Sequence, residues 1–347
     1  MKMLGIFRLL LINLIVVLVV SCRPTFNSFS KVNTPKQLSY PASEFYDSLV
    51  IVENEMVVLI DGGEFDDLQY YAKEGEAEYQ RFNFPEDHRC SSTRYYAYET
   101  LPDGRLQVWK HCFTENGTIT YLMAYDWLAQ KLNDVSGPLP LGSSGASWNP
   151  DQTRAIAYLD SKFASKTLFW ISNGGYSPLD LNIVDGNHSW NLKDDFPDFN
   201  ADDTGKTGTT GRAAWSPDGK QIAFFASADA IGKTGFERFN VEYKLYLMSP
   251  ETLHYEVVAD GIFSPFLLSW SPDSTHLAFI GDYGILKEKG IWLYSVKTNI
   301  VAQVSKGRFQ SIVWSTDGED LVAIQCDSID LCDKVLKYDV TNLVYDE

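Results

Sequence analysis

Apolar positions in this chain come in short runs, many of them alternating with polar ones, and turn residues stand between the runs. One set reads Ala155-Ile-Ala-Tyr158, Gln221-Ile-Ala-Phe-Phe225, His276-Leu-Ala-Phe-Ile280 and Leu321-Val-Ala-Ile324. A second set follows each of these: Leu168-Phe-Trp-Ile171, Lys244-Leu-Tyr-Leu-Met248, Gly290-Ile-Trp-Leu-Tyr294 and Val335-Leu-Lys-Tyr338, with Thr120-Tyr-Leu-Met-Ala-Tyr125 upstream. Short runs rich in β-branched and aromatic residues favour strands over helices. A further strand, such as Glu256-Val-Val258 or Ile300-Val-Ala-Gln303, completes a unit of four. The pattern predicts an all-β chain.

The turns repeat as well. Ala146-Ser-Trp148-Asn-Pro150-Asp151, Ala214-Trp215-Ser-Pro217-Asp218-Gly219, Ser269-Trp270-Ser-Pro272-Asp273-Ser274 and Val313-Trp314-Ser-Thr316-Asp317-Gly318 each precede a strand of the first set. A weaker copy, Leu101-Pro-Asp103-Gly104, precedes Leu106-Gln-Val-Trp109. From Trp148 to Trp215, Trp270 and Trp314 the intervals are 67, 55 and 44 residues. Proline presets the first turn position and Asp-Gly or Asp-Ser takes the next, which makes a tight hairpin. Several strands per repeat of such length are the mark of a β-propeller. Each Trp would end an inner strand and pack its ring between adjacent blades, with the aspartate holding the turn.

This Trp-Ser-Pro-Asp-Gly motif resembles the WD40-like (PD40) repeat of TolB-type propellers, over about residues 95–347. The resemblance implies four-stranded blades around one axis, six by this reading, with five and seven as the alternatives. Residues 47–90 carry strand-like runs without the motif and are expected to form a degenerate first blade or to supply a closing strand. The expected propeller domain spans 46–347, which leaves no counterpart of the small N-terminal domain of TolB.

Lys2 and Arg8 flank the start of the chain, and Leu9 to Val20 is an apolar run broken only by Asn13. That run has the length of a secretory signal core and is too short to span a membrane. Val19-Val20-Ser21-Cys22 resembles the lipobox of bacterial lipoproteins, which implies a signal peptide over 1–21, lipidation at Cys22 and a location in the cell envelope. Residues 22–45, with Pro35 and Pro41, lack periodicity and read as a tether.

The chain has 347 residues and a formal charge of −17. Without residues 1–21 it carries 46 acids against 27 bases, a net −19. Such a surface repels phosphate backbones and argues against nucleic acid. Cys90, Cys112, Cys326 and Cys332 remain after export, an even count that fits two disulfides. Cys326 and Cys332 bracket a short loop; Cys90 and Cys112 belong to neighbouring strands of one blade.

Catalytic signatures are sparse. Gly205-Lys-Thr207 and Gly232-Lys-Thr234 lack the upstream glycine and the following helix of a phosphate loop, and the five histidines are scattered. His276, inside a repeat strand, reads as a packing residue. Asp198, Asn200 and Asp202 copy the start of a calcium loop, although Asp203 and Thr209 stand where Gly and Glu belong. Two segments are long, Val184 to Arg212 between blades and Ala226 to Tyr243 within the next, and both emerge opposite the Pro-Asp-Gly turns. The first carries Asp194, Asp195, Asp198, Asp202 and Asp203 beside Trp190 and Phe199. Acids amid aromatics suit a protein or peptide partner of basic character, or a sugar. The expectation is therefore a lipid-anchored, non-catalytic interaction propeller facing an envelope or extracellular protein. The alternatives are a carbohydrate-active hydrolase or lyase and a binder of cations or small ligands.

Overall fold

The computed structural model describes residues 27–28, 34–41, 48–52, 55–61, 69–82, 84, 90–115, 117–139, 143–160, 166–172, 175–195, 209–231, 233, 235–284, 286–328 and 331–341. Twenty-four of their 27 strands fall into six groups of four antiparallel neighbours; of the others, Asn27–Ser28 runs parallel to Ile300–Lys306, and Asn182–Asp185 and His188–Asn191 form a separate two-stranded sheet.

Ser48–Val52, Glu55–Asp61, Gln69–Lys73 and Gln80–Arg81 make blade 1, and Ser92–Thr100, Leu106–Thr114, Gly117–Asp126 and Lys131–Asp134 make blade 2. Blade 3 holds Ser143–Trp148, Arg154–Asp160, Lys166–Ser172 and Gly175–Pro178. Blade 4 holds Thr209–Trp215, Ile222–Ala226, Glu242–Met248 and Tyr255–Phe263. Blade 5 comprises Leu268–Trp270, His276–Tyr283, Glu288–Ser295 and Ile300–Lys306.

Blade 6 takes three strands from the end of the chain, Arg308–Trp314, Asp320–Cys326 and Lys334–Asp339. Its fourth is Lys36–Gln37, antiparallel to Lys334–Asp339, with the Leu38 amide donating to the Val335 carbonyl at 2.9 Å. The two ends of the chain thus share one sheet and close the ring. The motif-free segment is a complete first blade, and the closing strand comes from within the stretch read as a tether. Leu38 explains why: it is buried among Leu49, Val58, Val322 and Ile324, between blades 6 and 1.

The repeat motif owes its form to hydrogen bonding. In blade 4 the Ser216 hydroxyl donates to Asp218 at 2.7 Å and accepts from the Gln221 amide at 2.9 Å, while Asp218 accepts from the Lys220 amide at 3.1 Å. Ser271 and Asp273 repeat this in blade 5, and Ser315 and Asp317 in blade 6. The residue after each aspartate has a left-handed backbone: Gly104, Gln152, Gly219, Ser274 and Gly318 have φ between 56° and 85°. Glycine takes that conformation freely; Gln152 and Ser274 take it at a cost.

Candidate functional site

The inner strands of all six blades surround one axial cavity of about 480 Å³, whose wall includes Leu49, Thr100, Ser147, Ala213, Leu268 and Ile312. Each joint between blades around it carries a side-chain hydrogen bond. Thr100 Oγ1 donates to the Ile51 carbonyl at 2.6 Å, Ser147 Oγ accepts from the Trp215 amide at 2.8 Å, and Ser311 Oγ accepts from the Leu49 amide at 3.1 Å. Trp270 Nε1 donates to the Ala214 carbonyl at 3.0 Å, and Trp314 Nε1 to the Ser269 carbonyl at 2.9 Å. Between blades 2 and 3, buried Gln107 accepts from Trp148 Nε1 and donates to the Ala146 carbonyl, both at 2.9 Å. The motif tryptophans therefore reach back to the preceding blade. Trp215 does so by packing, 5.8 Å from the ring of Trp170.

One charged pair stands in this cavity. Arg212 Nη1 of blade 4 donates to Glu99 Oε1 of blade 2 at 2.8 Å. Burial raises the Glu99 pKa above the ordinary carboxylate value, and Arg212 opposes the rise. The pair bridges two blades that are not neighbours, and so braces the channel internally. Gly145 makes room for it: a Cβ there would lie 3.1 Å from Arg212 Cγ and 2.3 Å from Tyr158.

The Pro-Asp-Gly turns gather on one face, where Pro150 lies 3.2 Å from the Cβ position of Gly219 and the Asp218 amide donates to Ser274 Oγ at 3.0 Å. Asp151, Asp218, Asp273 and Asp317 serve these turns and stand away from the channel wall. Hydrogen bonds from Thr153 hold the Asp151 pKa down, and those from Ser315 and the Glu319 amide do so for Asp317. For Asp218 and Asp273 burial opposes the shift, but the hydroxyl and amide donors outweigh it.

On the opposite face the two long segments meet. Within the first, Asn182–Asp185 and His188–Asn191 form a hairpin. Its Ile183 and the flanking Leu179, Leu181 and Leu192 fill the wedge between blades 3 and 4. Asp185 forms an ion pair with Lys244 and accepts from the Ala228 amide at 3.3 Å, which ties the hairpin to the second segment. Trp190 packs against the wedge core, and the backbone of Asp194 and Asp195 lies in a single 3-10 turn, Leu192–Asp195. Asp198, Phe199, Asn200, Asp202 and Asp203 lie outside the described residues, as do the signal segment and Cys22. Among the described residues no cluster of His, Cys, Asp and Glu is arranged to hold a metal ion. His276 is half-buried, 6.4 Å from the ring of Trp314, and desolvation lowers its pKa against the pull of Asp273.

Both cysteine pairs are bonded, Cys90 to Cys112 and Cys326 to Cys332, across 22 and 6 residues. Glu99 and Gln107 escaped the sequence reading. Both sit in strands that carry other polar residues, STRYYAYET and LQVWKHCFT, so nothing in the local pattern marked them.

Six blades of this topology around one channel define a β-propeller. The fold is similar to that of TolB from Acinetobacter baumannii, with a TM-score of 0.50 and 12% identity, over 79% of this chain and 60% of that one. This chain thus spans less than two thirds of that TolB. Putative TolB from Agrobacterium tumefaciens aligns with a TM-score of 0.48 and 14% identity, covering 85% and 90%. An oligogalacturonate lyase from Vibrio parahaemolyticus aligns at 0.45 and 12%, covering 92% and 96%. No protein-family model matches the chain, and no curated protein matches it in sequence.

Proposed function

We propose that the protein is a lipid-anchored, extracytoplasmic propeller that binds another envelope or extracellular protein through its loop face and performs no chemistry of its own. The observation that carries this reading is the state of the channel. Its described wall is largely apolar, and its one carboxylate, Glu99, is engaged by Arg212. Glycoside hydrolysis takes two carboxylates flanking the bond, so the described channel is better suited to holding blades together than to turnover. The loop face, by contrast, carries the long insertions on a rigid ring, the usual setting for recognition. Two disulfides fit an oxidising compartment, and Cys22 follows a lipobox-like sequence.

Capture of partners from envelope extract by the full chain tests the reading. Replacing Asp198, Asp202 and Asp203 with lysine should weaken capture; unchanged capture counts against the acidic loop. Cys22→Ser should move the protein from the membrane fraction to the soluble fraction. Turnover of a glycan that disappears on Glu99→Gln would replace the scaffold by an enzyme.

A further inference from the structure

Asn27–Ser28 runs along the outer strand of blade 5, parallel to Ile300–Lys306, with Asn27 opposite Ala302 and Ser28 opposite Gln303. That pairing comes five residues after Cys22. Five residues span at most about 18 Å, so an acyl group on Cys22 stays within that reach of one outer strand. The ring is therefore held by one edge. Successive blades touch in order around the channel, and in a ring of six the blade opposite blade 5 is blade 2.

Blade 5 also carries the kind of surface a bilayer takes up. Between its second and third strands the chain turns through Leu286, which is 81% exposed. Among the described residues the one large apolar side chain as exposed is Leu128 of blade 2, at 83%. Lys287 and Lys289 flank the Leu286 tip, and Lys287 Nζ lies 3.7 Å from the centre of the Phe263 ring. The acids beside the tip are opposed. Glu288 pairs with Lys306 at 2.9 Å. Burial raises the Asp282 pKa, and Lys289, Arg308 and Lys287 counter the rise. Residues 268–306 hold four lysines against three acids, a net +1 in a chain of −17. An apolar tip between lysines suits a lipid interface, since the apolar group enters the acyl boundary while the ammonium heads stay at the phosphates. We propose that blade 5 is the membrane-facing edge of the propeller, with the tether along its outer strand and Leu286 seated in the lipid surface. This placement rests on the reading of Cys22 as lipidated, and it leaves the far side of the ring to the protein partner.

Dye accessibility on the lipidated chain, added to vesicles of phosphatidylcholine and phosphatidylglycerol, tests it. Cys90, Cys112, Cys326 and Cys332 are disulfide-bonded, so Leu286→Cys or Leu128→Cys supplies one free thiol for the polarity-sensitive dye NBD. The two sites are equally exposed in the propeller and lie on opposite blades, so each controls for the other. Dithionite added outside should reduce NBD at 286 about threefold or more slowly than NBD at 128, with bluer emission at 286. Equal rates at the two sites, or slower reduction at 128, would overturn blade 5 as the membrane-facing edge and leave the scaffold standing. A chain that stays in solution would instead end the lipoprotein reading. A hexahistidine tag in place of residues 1–22, on nickel-chelating vesicles, then poses the same question of the propeller. Shielding of 286 over 128 there would uphold the lipid-facing edge, and its absence would overturn it.

Discussion

Gln107 shows how much one side chain can hold. It is 1% exposed and satisfies both the Trp148 indole and the Ala146 carbonyl across the joint between blades 2 and 3. Gln107→Leu would leave both groups buried without partners, at about 1–3 kcal/mol each. Chemical denaturation should therefore show a loss of roughly 2–6 kcal/mol. A loss within experimental error would mean that the two groups find other partners. The turns offer a paired test. Gly219→Ala places a Cβ at φ +75° and 3.2 Å from Pro150, so a loss of about 1–2 kcal/mol is expected. Gln152→Gly relieves a side chain held at φ +56° and should gain up to about 1 kcal/mol. The turn aspartates also set an acid dependence. Asp218 and Asp273 have folded pKa values below the ordinary one. Their contribution is thus present above the unfolded value and is lost as pH falls through the folded one, at and below about pH 4. The double variant Asp218→Asn, Asp273→Asn should show a shallower fall of Tm with acid; an identical fall would assign the acid sensitivity elsewhere.

At the scale of the element, most of the fold was legible because it repeats. The tryptophan, the turn and the strand after it recur with their roles intact, from Trp148 to Trp314. Blade 1 was harder to read, since it has strand-like runs but no motif to register them. The closing strand was invisible as such: Lys36 and Gln37 are exposed, only Leu38 is buried, and three residues carry no period. Sites were less legible than blades. Glu99 and Arg212 lie 113 residues apart, so nothing local announces the pair. The disulfides act at this scale too. By loop entropy, Cys90–Cys112 should contribute about 3 kcal/mol and Cys326–Cys332 about 2 kcal/mol. Replacing each pair with alanine should show that order in denaturant midpoints, and the reverse order would point to native-state contacts outweighing chain entropy.

For the whole molecule, a propeller is a ring, and its weakest joint is the one closed by chain ends. Here blade 6 borrows Lys36–Gln37 from the start of the chain, and Leu38 seals the seam with blade 1. Closure keeps the inner strands in register around the channel, and so holds the Arg212–Glu99 brace and positions the loop face. The claim that the N-terminal strand closes a six-bladed ring is tested most directly by hydrogen exchange in the last blade. Amides of Lys334–Asp339 should be strongly protected in the full chain and should lose protection when residues up to Ser39 are removed, with a drop in Tm. Protection of that strand unchanged by the truncation would contradict the closure and the circular arrangement built on it.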